Sequence, residues 1–108
     1  MAKTKPGDDD LIHITTRDDW AAAQAAGSVA ATMATEGFVH CSTRRQLPGT
    51  LGRHFGGAGP LLGLLLDPDT VGDLRWEVSV GDEEFPHVYN ALPLDAVLGV
   101  EPLEAPPA

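Results

Sequence analysis

Residues 61–66 have the sequence LLGLLL, a short apolar run that lies between Pro60 and Asp67. A continuous apolar run of this length, bounded by turn-forming residues, is typical of a strand that is buried on both faces of a sheet. The run therefore predicts the central strand of a β-sheet. The flanking sequence has to supply its neighbours and the layers that cover it.

The segments around this run alternate between apolar and polar residues, as half-buried strands do. Residues 11–15 (LIHIT) alternate and are rich in β-branched side chains. Residues 74–80 (LRWEVSV) also alternate and place Glu77 on the polar face of the strand. Residues 37–41 (GFVHC) and 96–103 predict two further strands.

Two helices are predicted in the N-terminal half of the chain. Thr16 is a favourable N-cap, an acidic pair follows it, and Gly27 is a natural stop for the first helix. The second helix is predicted to follow residues 37–41 and to run through about Phe55, with Pro48 inside it. Together these patterns predict an α+β domain.

The length of the chain, 108 residues, corresponds to one domain. Residues 1–10 are polar and carry little to bury, so they are predicted to form a flexible tail. One α+β domain is predicted for residues 11–103. The proline-rich residues 104–108 are predicted to form a flexible C-terminal end.

The charge of the chain is strongly acidic, with 16 Asp and Glu against 7 Lys and Arg and a formal net charge of -9. This balance disfavours DNA and anionic membranes as partners. No apolar run reaches the roughly 20 residues needed to cross a bilayer, and the N-terminus carries no secretory signal pattern. A cytoplasmic location is expected. The sequence indicates neither a protein target nor an oligomeric state.

Several common chemistries have no motif in this sequence. The single cysteine, Cys41, excludes an internal disulfide and a multi-cysteine zinc site, and it is expected to be a small buried hydrophobe. The histidines do not occur in HxH, HxxxH or HExxH spacing, so no metal is expected. Neither a GxSxG elbow nor a GxGxxG or GxxxxGK phosphate loop is present.

Polar residues recur at strand positions where apolar residues would pack better, and this pattern predicts a wet pocket on one face of the sheet. The residues of this pattern are His13 with Thr15, His40 with Ser42, His87 with Tyr89, and Glu77.

A structural alternative stays open for these residues, and His13 also suits a half-exposed or hydrogen-bonded histidine of a strand. His40 and Ser42 also suit the end of a strand and a helix cap, and Glu77 also suits an ion pair with Arg75. His87 also suits a packed turn after a proline.

Five segments together resemble a small bacterial family of domains of unknown function, numbered 952. They are LIHITT at 11–16, EGFVHCS at 36–42, RWE at 75–77, FPHVY at 85–89 and LPLDAV at 92–97. The resemblance extends over residues 11–103, and EGFVHCS and FPHVY are its most distinctive parts.

The resemblance implies a fold, because this family is grouped structurally with the ADP-ribosyltransferase superfamily. The expected fold is a split, twisted, mostly antiparallel β-sheet with two N-terminal helices and a cleft that grips the nicotinamide half of NAD. By position, His13 matches the first-strand residue that holds a ribose hydroxyl, and Glu77 matches the late-strand glutamate. The second-strand tyrosine of the superfamily is replaced here by His40.

The chemistry that the resemblance implies can be stated in physical terms. Breaking the nicotinamide–ribose bond passes through an oxocarbenium-like state, which an ionised carboxylate stabilises. Glu77 would supply that carboxylate, His13 and Thr15 would bind ribose hydroxyls, and Phe38 or Tyr89 would stack on the base. A pyrophosphate needs cations or the N–H groups of a helix start. The available groups are Arg44, Arg45, Arg53 and the segment after Ser42.

The expected function is therefore that of an ADP-ribosyltransferase-like enzyme acting on NAD, as a substrate, or on a related nucleotide. Its catalytic residues would be Glu77, His40 and His13. The alternative is a non-catalytic module that recognises a nucleotide or small metabolite through His13, His40 and His87. A third possibility, transfer of a 2′-phosphate on RNA, is disfavoured by the shortage of basic residues.

Overall fold

The computed structural model describes residues 7–108, apart from the side chain of Val80. The first six residues of the predicted tail lie outside the described part. In chain order, the strands are β1 (Leu11–Thr15), β2 (Ser28–Val29), β3 (Val39–His40), β4 (Ser42–Thr43), β5 (Pro60–Leu66), β6 (Leu74–Val80), β7 (Glu83–Val88), β8 (Leu92–Pro93) and β9 (Val97–Glu104). The α-helices are α1 (Arg17–Ala26), α2 (Met33–Glu36) and α3 (Leu47–His54), with 3₁₀ turns at Arg44–Gln46 and Leu94–Ala96.

The strands form three sheets. One has four strands in the order β4-β1-β5-β9, one has three in the order β3-β7-β6, and β2 pairs with β8. All of these pairs are antiparallel. The prediction of an α+β domain with mostly antiparallel strands is confirmed.

The apolar run at 61–66 forms β5, which lies inside the four-stranded sheet, as predicted. Leu64 and Leu66 belong to one buried cluster, and Leu61 belongs to a second. Gly63 interrupts the leucines because a Cβ there would lie 3.0 Å from a methyl carbon of Leu103 and 3.2 Å from one of Ile12. A side chain at this position would therefore displace one of the two neighbours.

Two apolar layers cover the four-stranded sheet. One cluster joins Leu64 and Leu66 to Ala23 of α1 and to Val39 and Val88 of the three-stranded sheet. The other joins strand residues to the helix α3. Its buried members are Ile12, Ile14, Leu47, Leu51, Leu61 and Ala105. Among the described residues, the three-stranded sheet therefore contributes to the first of these two clusters and not to the second.

The first predicted helix occurs as α1, and its ends follow the sequence signals. The Thr16 hydroxyl accepts a hydrogen bond from the backbone N–H of Asp19, and Gly27 ends the helix in the left-handed conformation with φ 93°. These are the usual N-cap and C-terminal devices.

The second predicted helix starts later than expected. Ser42 and Thr43 form β4, because they pair with Ile12 and Leu11 at the edge of the four-stranded sheet. A 3₁₀ turn with a Thr43–Gln46 capping box follows, and α3 begins only at Leu47. Proline is tolerated in the first turn of a helix, so Pro48 is compatible with this start. The short helix α2 was not predicted.

The folded unit extends beyond the predicted boundaries at 11 and 103. Asp10 is buried, and its carbonyl oxygen accepts a hydrogen bond of 2.9 Å from the backbone N–H of Arg44. At the other end β9 reaches Glu104, and the next residue, Ala105, is buried and donates its N–H to Gly59. Polar or proline-rich composition did not reveal these tertiary contacts. Within residues 7–108, no helix has the length and apolar character needed to span a membrane.

Candidate functional site

The pairing of the three-stranded sheet brings the predicted polar residues onto one face. His40 of β3 lies opposite His87 of β7, and on the other side of β7 Arg75 lies opposite His87 and Glu77 opposite Phe85. Directly paired residues project from the same face of an antiparallel sheet. This face therefore carries two histidines, an arginine and a carboxylate.

Glu77 is the acceptor at the centre of a small hydrogen-bond network. Its Oε1 accepts a bond of 2.6 Å from the Tyr89 hydroxyl and one of 2.7 Å from Nδ1 of His87. The bonds from Tyr89 and then His87 lower the pKa of Glu77, so the carboxylate is ionised at neutral pH. The same carboxylate raises the pKa of Tyr89. The Arg75 guanidinium lies over the Tyr89 ring, 4.3 Å from its centroid.

The Phe38 ring packs against the face of the His87 ring. The two rings are stacked with centroids 4.3 Å apart, and Phe38 also contacts His40 edge-on at 4.7 Å and Tyr89 at 5.2 Å. Both aromatic residues that were expected to stack on a ligand base are therefore packed within the protein's own aromatic cluster.

His13 is buried in β1 and has a defined protonation pattern. Its Nδ1 lies 2.7 Å from the backbone carbonyl oxygen of His40. A carbonyl oxygen can only accept, so Nδ1–H donates, and Nε2 of the neutral ring is left with its lone pair. Burial is the main cause that lowers the pKa of His13, which favours this neutral form. Nε2 of His13 has no hydrogen-bond partner among residues 7–108. The atom is not completely buried, because no completely buried side-chain nitrogen or oxygen in this part of the chain lacks a partner.

His40 forms a second histidine–carboxylate pair, but this pair is exposed to solvent. Its Nε2 donates to Oε2 of Glu36 at 2.6 Å, and the two side chains are 48% and 43% exposed. In the His87–Glu77 pair, by contrast, the His87 side chain is only 7% exposed. The two pairs have nearly equal lengths and very different access to water.

A cavity of about 840 Å³ lies against these residues. Six of the ten predicted site residues line it: His13, Thr15, His40, Ser42, Arg53 and His87. The volume is within the range of roughly 300–1,000 Å³ that is usual for small-molecule sites. Because His13 comes from the four-stranded sheet and His40 and His87 come from the three-stranded sheet, the cavity is bounded by both.

The other four predicted residues, Glu77, Phe38, Tyr89 and Arg44, are not among the residues that line the cavity. The first three lie behind or beside His87, in the contacts described above. Arg44 donates to both carboxylate oxygens of Glu101 at 3.1 and 2.7 Å and through Nε to Asp10 at 3.1 Å. These carboxylates raise the pKa of Arg44 and engage the guanidinium in a structural ion pair.

The sequence patterns did not select several residues of the cavity wall. Thr50 and His54 of α3 contribute to it, and the Thr50 hydroxyl lies 3.0 Å from that of Ser42. Asp19, Trp20 and Glu36 also line it. Glu36 precedes His40 by four residues, but Gly37 ends α2 between them and His40 lies on β3, so helical spacing does not predict this pairing.

Two further features bear on chemistry. Cys41 is buried, as expected, and burial raises the pKa of its thiol to about 12, so the thiol is protonated at neutral pH. Arg53 lies over the Phe85 ring at 5.5 Å and lines the cavity, whereas Arg45 is exposed. In the part of the chain from residue 7 onward, no group of three or more His, Cys, Asp or Glu residues is suitably placed to hold a metal ion.

The fold and the cavity define a small α+β domain with a histidine-lined pocket between two antiparallel sheets. The chain belongs to the family described as "Protein of unknown function (DUF952)", whose model matches residues 14–100. A search of curated proteins finds no match.

Solved structures of protein CC0527 from Caulobacter crescentus are similar to this chain. The crystal structure has a TM-score of 0.78 and 33% sequence identity, and the match covers 86% of this chain and 84% of the other. The solution NMR structure has a TM-score of 0.74 at the same identity, and the match covers 88% and 84% of the two chains.

Proposed function

We propose that the protein is an ADP-ribosyltransferase-like enzyme that acts on NAD or a related nucleotide in the histidine-lined cavity. One observation carries the proposal: His13, His40 and His87 come from three strands of two sheets and line the same cavity. Polar side chains on strands cost packing energy unless they are hydrogen-bonded. Their convergence on one hollow is what a small-molecule site requires. The separation of the four-stranded sheet from the three-stranded sheet supports the split-sheet type of that superfamily.

The ribose of the nucleotide would be held by β1. Nε2 of His13 is an acceptor without a protein partner, and Thr15 lies two residues further along the same face of the strand. A ribose hydroxyl that donates to His13 would satisfy its lone pair. The Thr15 hydroxyl both donates and accepts, so it suits a second ribose hydroxyl.

The phosphates would lie near α3. Arg53 lines the cavity, and none of the described carboxylates pairs with it; its charge lies over the Phe85 ring instead. Ser42 and Thr50 add two hydroxyls to the same wall. Arg44 has no part in phosphate binding in this proposal, because Glu101 and Asp10 occupy its donors.

The position of Glu77 supports a second candidate, a non-catalytic nucleotide-binding module with the same fold. The carboxylate does not line the cavity, and its Oε1 is engaged by His87 and Tyr89. It therefore acts on a ligand through His87 and not by direct contact. A module that kept the cavity and lost turnover would retain this network for structural reasons.

Two measurements on the purified protein separate the candidates. Thermal unfolding with and without NAD, ADP-ribose and nicotinamide tests binding, and chromatography of the NAD mixture tests release of nicotinamide. The enzyme is expected to be stabilised by ADP-ribose and to release nicotinamide. Stabilisation without release would establish the binding module. The absence of both, across NAD and its analogues, would refute both candidates.

A further inference from the structure

We propose that His87 is the general base of the cavity, that Glu77 positions it, and that the acceptor in the reaction is the oxygen of a hydroxyl group, water in the simplest case. This inference rests on the proposed function, because it names the second substrate of that same site. It is carried by the contrast between the three histidines of the cavity.

Only one of these three imidazoles combines burial with a carboxylate partner. His13 is buried, but its Nδ1 donates to a neutral carbonyl oxygen, which stabilises an imidazolium less than a carboxylate does. His40 has a carboxylate partner, but the pair is about half exposed. His87 is buried and donates to the ionised Glu77.

The contacts of His87 leave one nitrogen for chemistry. Nδ1 is bound to Glu77, whose position is fixed in turn by the Tyr89 hydroxyl. The ring plane is held by stacking on Phe38 at 4.3 Å. Nε2 has no hydrogen-bond partner among residues 7–108, and His87 lines the cavity. A base whose tautomer and orientation are fixed by a carboxylate is the arrangement that proton abstraction requires.

The proposed step replaces nicotinamide by the acceptor oxygen at the anomeric carbon. Nε2 of His87 takes the proton of the acceptor hydroxyl, while the hydroxyl oxygen forms a bond to the anomeric carbon of the nicotinamide-bearing ribose. The bond from that carbon to the nicotinamide nitrogen breaks, and its electron pair neutralises the pyridinium, so nicotinamide leaves uncharged. Glu77 stabilises the imidazolium, which returns its proton to solvent.

The central test is nicotinamide release by His87→Gln and His87→Ala, with ADP-ribose affinity measured by calorimetry on the same samples. General-base catalysis contributes about 100-fold or more, so both variants are expected to lose at least that factor in kcat. ADP-ribose affinity is expected to stay within about threefold. Added imidazole is expected to restore part of the rate of His87→Ala, which would not occur if His87 were merely structural.

A matched pair of variants tests the role of Glu77 as a positioning residue. Glu77→Gln is expected to lower kcat by about tenfold or more with little change in KM, because the imidazolium loses its counter-charge. Glu84→Gln, an exposed carboxylate on β7, is expected to leave both constants unchanged.

These measurements distinguish a failure of the role assigned to His87 from a failure of the proposed function. An active wild type whose His87 variants keep their rate within about threefold would overturn the inference and leave the proposed function standing. The same holds if imidazole gives no rescue of a correctly folded His87→Ala. A wild type that neither binds ADP-ribose nor releases nicotinamide would overturn both.

Discussion

The four-stranded and three-stranded sheets of this domain consist of the same kind of antiparallel pairs but use their faces differently. In the four-stranded sheet, β5 buries leucines on both sides, and the buried polar side chains lie on its neighbours β1 and β4. They are His13, Thr15, Ser42 and Thr43. In the three-stranded sheet, one face buries Val39 and Val88, whereas the other carries His87 and Glu77.

This difference explains which sheet face can carry polar functional groups. A sheet that is covered on both faces gains apolar burial, which is the main stabilising contribution to folding. A sheet with one core face can keep polar groups on the other, provided that they are hydrogen-bonded. Among residues 7–108, no buried side-chain nitrogen or oxygen lacks a partner. The polar face is therefore satisfied, and the cavity lies where it meets the four-stranded sheet at His13.

The largest effect on stability is expected in the sheet that is covered on both faces. Leu66 of β5 is 1% exposed, so Leu66→Ala should lower the free energy of unfolding by about 3 kcal/mol. Leu98 of β9 is 62% exposed, and Leu98→Ala should change it by less than about 0.5 kcal/mol. Urea denaturation measures both. Equal losses in the two variants would show that the burial of Leu66 is not what makes β5 stabilising.

The second prediction concerns the side chain that connects the two sheets. Gln46 accepts from the backbone N–H of Thr43, the last residue of β4, and donates at 2.8 Å to the carbonyl oxygen of Glu84 in β7. Because Gln46→Met leaves both backbone groups unpaired, it should lower the free energy of unfolding by about 2 kcal/mol. Gln24→Met, on the exposed side of α1, is the control and should change it by less than about 0.5 kcal/mol. A Gln46 variant as stable as this control would mean that the two sheets are not joined here.

The third prediction compares one arginine–carboxylate pair from each sheet. Arg44 is 24% exposed and joins Asp10 and Glu101, whereas Arg75 and its partner Asp73 are 55% and 49% exposed. Arg44→Met should cost about 1–2 kcal/mol in urea denaturation, because the buried carboxylate of Asp10 and that of Glu101 lose the charge of the guanidinium. Arg75→Met should have a much smaller effect, since exposed ion pairs contribute little. A larger loss for Arg75 would contradict this account of the two sheets.

The parts of the fold that local sequence determines were predictable, and those that tertiary pairing determines were not. The leucine run predicted β5, and Thr16 and Gly27 predicted the ends of α1. The strand β4 has only two residues and exists because it pairs with β1, so its composition carries no strand signal. Arg44 is separated by 57 residues from Glu101, and nothing local connects them.

The same distinction applies to the candidate site. Alternation placed Glu77 on a polar face, but its partners depend on the register of β6 and β7. Gly81, with φ 58°, and Asp82 form the two-residue connection between these strands. This loop pairs Val80 with Glu83, and a regular hairpin would then place Glu77 opposite Pro86, on the face away from His87. A bulge between Val78 and Val80 shifts the register by one residue, so that Glu77 lies opposite Phe85, and the loop sequence does not predict that bulge. The donation from His13 to the carbonyl oxygen of His40 has no local signal either, because it joins two different sheets.

The smallest effect on stability concerns the protonation of His13, a buried polar residue of the four-stranded sheet. Burial lowers the pKa of His13 from its ordinary value of 6.5. The hydrogen bond to the His40 carbonyl opposes this shift, the charge of the His40 ring adds to it, and the charge of Asp19 opposes it. Below pH 6.5 the unfolded chain therefore binds a proton that the folded chain does not, and the free energy of unfolding falls as the pH decreases. His13→Asn keeps an N–H donor for the His40 carbonyl and does not titrate. Its stability should therefore decline less steeply than that of the wild type between about pH 7 and about pH 5.

A second variant separates titration from hydrogen bonding at the same position. His13→Leu does not titrate either, but it leaves the carbonyl oxygen of His40 without its 2.7 Å donor. It should therefore show the shallow pH dependence of the asparagine variant together with a lower free energy of unfolding at neutral pH. Urea denaturation at a series of pH values measures both quantities. If the asparagine variant kept the slope of the wild type, folding would not lower the pKa of His13. Burial would then not favour the neutral ring, whose Nε2 is the acceptor assigned to the ribose hydroxyl.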